Sequence, residues 1–190
     1  KHSTTSETQT ILKSSGSGGQ TLWDLRTIPS NPSDTSISAS FEFRLNDSQR
    51  GGSDIGTRGV SMSLAFGVGN PGEIWNVMLQ RMTSSISGAG TQEYRLHAAL
   101  QDKDNGKVIS KYNYDTMSVS GGLVGGSTAG GKGFYANQNW TISGSRHYQS
   151  SSNLFVGETI SGSIAEIRGW TTALSTSKFR QHTLNKFSTT

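Results

Sequence analysis

Two carboxylates that cleave a glycosidic bond must stand close together on one face. On a strand that means alternate positions. The six glutamates are Glu7, Glu42, Glu73, Glu93, Glu158 and Glu166, and none has an aspartate two residues later. The four histidines, His2, His97, His147 and His182, are too widely spaced to form a metal-binding pair. Cysteine is absent, which removes thiol nucleophiles, thiolate metal sites and disulfides together. No Gly-x-Ser-x-Gly elbow presents a serine, and the glycine-rich stretch 120–133 carries no phosphate-binding Walker pattern. The chain reads as a non-enzyme.

Residues suited to binding are easier to find. Sugars stack their C–H faces on flat rings while fixed amides and hydroxyls take the hydroxyl groups. Tyr112, Asn113 and Tyr114 form a Tyr-x-Tyr stripe beside Lys111, and Trp140 lies among asparagine and glutamine. These four are the candidate ligand-binding residues, weighed against the plainer reading that some of the rings, Trp75 and Trp140 first, fill a core. A second cluster, Asp102, Asp104 and Asn105, offers hard oxygen ligands at close spacing and is the candidate calcium site. The same residues describe an ordinary hairpin turn in which the side chains cap their own backbone.

The net charge is +4, but Lys and Arg are scattered, and no basic run tracks a phosphate backbone, so nucleic acid is not an expected partner. No apolar run approaches the roughly 18 residues of a membrane span, so no membrane insertion is expected. Asn46-Asp47-Ser48 and Asn139-Trp140-Thr141 are glycosylation sequons, relevant only in a eukaryotic secretory setting.

Such residues need a scaffold. With 31% hydrophobic and 16% charged residues in 190, short apolar runs alternate with Gly, Ser, Thr and Asn, the composition of a chain with many strands and turns. Residues 1–20 read as a flexible leader or as an exchangeable edge strand centred on 10–13, and residues 21–190 as one domain. In 36–46, Ile37, Ala39, Phe41, Phe43 and Leu45 alternate with polar residues, which marks a strand with one buried face. Val60, Met62, Leu64, Phe66 and Val68 repeat the pattern. Residues 73–82 are apolar on both faces, as in a central strand. In 93–100, Tyr94, Leu96, Ala98 and Leu100 share one face and leave His97 on the polar side. A turn at Asn105-Gly106 leads into a partner strand over 108–115. Further strands are expected at 134–144, 153–157 and 161–170. One short helix is expected from about Ser175, capped by Ser175 or Ser177, with Phe179, Thr183 or Leu184, and Phe187 on one face.

The stretch 153–179 carries a resemblance. Leu154, Gly157, Gly162, Ile164, Glu166, Ile167, Arg168, Trp170, Ala173, Leu174 and Ser175 match the C-terminal signature of laminin-G-like, concanavalin A-like jelly rolls. The chain departs from it at Ala165, where the family has Asp, and at Gly169. The resemblance implies an all-β, antiparallel two-sheet jelly-roll sandwich with one short C-terminal helix, in which Trp170 closes the core. Enzymes of the same fold carry a Glu-x-Asp strand or Gln-x-His and Tyr-Lys-Tyr strands. Only fragments of these occur here, at Lys111-Tyr112 and Arg95-Leu96-His97.

The expected function is therefore recognition: an extracellular, cell-surface or virion-surface module that binds a glycan or a protein surface, with or without calcium. The alternatives are a structural brick of a fibre, appendage or capsid that packs on neighbouring domains or copies of itself, and a divergent polysaccharide-cleaving enzyme.

Overall fold

A computed structural model describes residues 7–15, 21–29, 38–45, 60–67, 73–82, 91–120, 153–170 and 172–185. It shows an all-β sandwich of two antiparallel sheets with one short C-terminal helix. The first sheet holds β1 (Gln9–Ser15), β2 (Thr21–Pro29), β3 (Ser38–Leu45), β4 (Val60–Gly67) and β8 (Asn153–Val156), in the order β4-β3-β2-β1-β8. The second holds β5 (Trp75–Arg81), β6 (Thr91–Gln101) and β7 (Ile109–Ser120), in that order. The helix α1 spans Thr176–Leu184. Among the described strands, consecutive ones are neighbours within each sheet, and β8 alone returns across the sequence, to pair with β1.

The period-two pattern decides which faces meet. Phe41, Phe43 and Leu45 of β3, Trp23 and Leu25 of β2, and Met62 and Leu64 of β4 turn toward Tyr94, Leu96 and Ala98 of β6. The sheets touch ring to ring: Phe43 lies 5.4 Å from Tyr94, and Phe41 meets Trp75 edge-on at 5.7 Å. Each large apolar side chain so buried contributes roughly 1.5–3 kcal/mol, so this layer is the main source of stability.

Two strands lie in stretches where the sequence shows little periodicity. In β1 the pairing slips between Thr10 and Leu12, a bulge that lets the adjacent Ile11 and Leu12 both pack on the core. The strand is internal, with β2 on one side and β8 on the other. In β2, Trp23, Leu25 and Thr27 face inward, while Asp24 and Arg26 face outward beside Arg44 and Glu42 of β3. Arg44 grips Asp24 with two hydrogen bonds, one of them Nε to Oδ1 at 2.8 Å, and Arg26 Nε donates to Glu42 at 2.5 Å. The Asp24 side chain is only 4% exposed, so this ladder of alternating charge is a packed element of the outer face.

Two expectations are corrected. Among the described strands, β6 and not β5 is the central one of its sheet. Residues 161–170 do not form a strand, and Trp170 does not close the core: it is 43% exposed and packs on His182 of α1 at 5.1 Å. The physical reason lies just upstream. Gly157 ends β8 with φ +64°, a left-handed conformation that suits glycine, and its amide donates to the Ile11 carbonyl. The chain then folds back over this corner: a Cβ on Gly157 would sit 3.2 Å from Ile164, which is half-buried there. The expected strands over 134–144 lie outside the described residues.

Candidate functional site

The outer face of the β5–β6–β7 sheet gathers the aromatic residues of interest. The antiparallel register sets His97 of β6 directly opposite Tyr114 of β7, with Met78 of β5 on its other side, and Tyr112 opposite Ala99. The same register puts Asn113 opposite Ala98, on the other face from the two tyrosines. Asn113 instead uses its own Oδ1 to accept from the Tyr114 amide at 2.9 Å. Of the proposed ligand-binding residues, Tyr112 and Tyr114 therefore come together, Asn113 does not, and Trp140 lies outside the described residues.

Helix α1 packs on this face. Ser175 caps it, accepting from the Lys178 amide at 3.2 Å, and Phe179 and Thr183 are buried beneath it. Gln80 of β5 donates to the Leu174 carbonyl at 2.6 Å and fixes the start of the helix to the sheet. Phe179 then reaches His97 at 5.6 Å and Tyr112 at 6.3 Å, while the Arg180 guanidinium sits 5.6 Å from the Tyr112 ring centre.

The result is a graded row. His97 is 1% exposed, and its Nδ1 lies 3.0 Å from the Tyr112 hydroxyl. Its Nε2 is buried with no hydrogen-bond partner among the described residues. Burial lowers its pKa below the ordinary imidazole value, and the Arg95 charge adds to the effect. Tyr112 is half-buried, under Phe179 and Arg180. Tyr114 is 54% exposed, its ring stacked on His97 at 5.6 Å and 20°, and 6.3 Å from Tyr112. One face of Tyr114 is thus braced by a buried ring while the residue stays open to solvent. His97 is enclosed by Phe179 and the two tyrosines and braces the Tyr114 ring from behind.

The second candidate cluster is a turn. Asp102 Oδ1 accepts from the amides of Asp104 at 3.0 Å and Asn105 at 2.7 Å, and Asn105 Oδ1 accepts from the Lys107 amide. The Gln101 side chain donates to the Gly106 carbonyl across it. A shallow cleft of ≈ 180 Å³ lies beside this turn, lined by Glu73, Ile74, Gln101, Asp102, Lys103 and Gly106. Among the described residues no three His, Asp or Glu side chains converge as a metal site.

Sequence reasoning missed two members of the aromatic site. His97 was placed correctly on the polar side of β6, but its burial depends on α1 folding back over the sheet. Arg180 has no local signal at all. In comparisons with known proteins, no family model matches the chain, and no curated protein or solved structure matches it.

Proposed function

We propose that this chain is a non-catalytic recognition module, a sandwich of the concanavalin A-like jelly-roll kind working outside the cell or on a cell or virion surface, and that it binds glycan on the face formed by Tyr112 and Tyr114. The observation that carries the reading is Tyr114, half-exposed and stacked on buried His97. A ring already held in place loses little freedom when a sugar stacks on it, so most of the contact energy appears as affinity. Arg180 adds a planar fork of N–H donors at the covered end of the stripe. A glycan array probed with the wild-type chain tests this. Affinity for the retained glycans should fall by up to about tenfold in Tyr114→Ala and persist in Tyr114→Phe. An array that retains nothing, or Ala variants at both tyrosines that bind as well as wild type, would refute it.

A structural role is the second reading, and one feature favours it. The internal strand β1 is tied to the residues that follow β8 by the Thr10 amide on Thr159, Lys13 on Glu158 and the Ser161 amide on Gln9. A strand with so many partners on one side could equally be supplied by a neighbouring copy. A chain that sediments as a monomer at all concentrations argues against it.

A further inference from the structure

We propose that α1 is an acid-released clamp: protonation of His97 expels the helix from the outer face of the β5–β6–β7 sheet, uncovering Tyr112 and carrying Arg180 away. The device goes beyond the recognition reading and holds whether or not Tyr114 takes a sugar.

The geometry leaves no room for a charged ring. His97 is enclosed by Tyr114 and Phe179, each 5.6 Å away between ring centres, and by the Tyr112 hydroxyl. An imidazolium carries two N–H donors. The Tyr112 oxygen can accept one of them by turning its own proton away. The other, on Nε2, points into a buried place with no acceptor among the described residues.

Among the described residues no nearby carboxylate compensates the charge. From β5 the neighbours are Met78 and Gln80, both uncharged. From β6 the neighbour is Arg95, and the only carboxylate on this face of the described strands, Glu93, is engaged by Arg95 at 2.8 Å. Strand β7 presents the two tyrosines, and α1 brings Lys178, Arg180 and His182 and no acid. The surrounding charges are therefore mostly positive, and they oppose a further cation.

What holds the helix is slight by comparison. Its buried side chains are Phe179 and Thr183, its Arg180 guanidinium lies over the Tyr112 ring, Trp170 packs on its His182, and one hydrogen bond runs from Gln80 to the residue before the cap. On release, His97 loses the cover of Phe179, meets water and binds a proton nearer to the ordinary imidazole value, with Arg95 still beside it.

The sign follows from linkage. Near pH 7.5 both docked and released forms are neutral at His97. As pH falls through the ordinary imidazole value of about 6.5, the released form takes a proton that the docked form refuses. Helix docking therefore weakens from there down to the lowered value of the docked form, where the loss levels off.

Amide hydrogen exchange on the full chain tests the device. Rates at pH 7.5, 6.5 and 5.5 are corrected for their intrinsic pH dependence, and α1 is read against β6. The opening of α1 should rise by up to about tenfold per pH unit below 6.5, with β6 unchanged, and the His97→Gln variant should show no rise. Should His97→Gln not fold, the NMR titration of the His97 ring in the wild-type chain decides, because its protonation must track α1 opening. PH-independent protection of α1, an equal rise in folded His97→Gln, loosening of β6 in parallel, or a His97 ring that titrates without α1 opening would each overturn the proposal.

Discussion

Asp24 and Lys13 are cross-strand neighbours with opposite energetic weight. Asp24 is gripped by Arg44, with side chains 4% and 13% exposed, whereas the Lys13–Glu158 pair stands at 22% and 38%. Removing one partner of a desolvated pair strands the other charge and costs about 3 kcal/mol, while an exposed pair is worth at most about 1 kcal/mol. Urea unfolding should therefore find Asp24→Ala clearly destabilised and Glu158→Ala close to wild type. At the other end of the chain, Ser175→Ala should cost about 1 kcal/mol, because the Lys178 amide loses its acceptor. That cap was legible in the sequence, since a serine before a helical run has few other uses. The burial of His97 was not, because it depends on Phe179, more than eighty positions away. Asn113 illustrates a different limit. Its parity was plain, and alternation alone already set it on the face opposite the two tyrosines.

The elements with strong alternation, β3, β4 and β6, appear where the pattern puts them, because a buried face enforces period two, and β7 follows from the turn before it. The N-terminal strands were harder to read. In β1 a bulge breaks the period and buried Ser14 and Gln9 disguise the strand; in β2 the inward set of Trp23, Leu25 and Thr27 covers only three positions. The 161–170 stretch erred the other way. Its apolar residues suggested a strand, yet it packs back on the Gly157 corner and leaves Trp170 against the helix. The internal place of β1 makes a prediction. A chain lacking residues 1–15 loses the partner of both β2 and β8 and should fail to show cooperative thermal unfolding by circular dichroism. Adding a peptide of residues 7–15 should restore the transition if β1 is exchangeable. A truncated chain that melts cooperatively alone would show that β1 is dispensable.

At the scale of the whole molecule, the two sheets have different duties. The five-stranded sheet closes its outer face with the Asp24–Arg44 and Arg26–Glu42 ladder, while the three-stranded sheet presents an aromatic row beneath a short helix. The hairpin turn at Asp102 satisfies its own backbone, so millimolar calcium should leave the melting temperature unchanged, whereas a rise of several degrees would support a calcium site there. The class of the fold could be read from composition and alternation, because both report how a chain hides its apolar residues. The aromatic face could be read only in part, because it is assembled from β6, β7 and α1, of which α1 lies far from the two strands in sequence. NMR chemical-shift mapping with a soluble oligosaccharide panel tests the central claim most directly. A binding sugar should shift the amides of 111–116 together with those around Phe179 and Arg180. Shifts confined to the cleft at Glu73 and Asp102, or to the charged face of the five-stranded sheet, would contradict it.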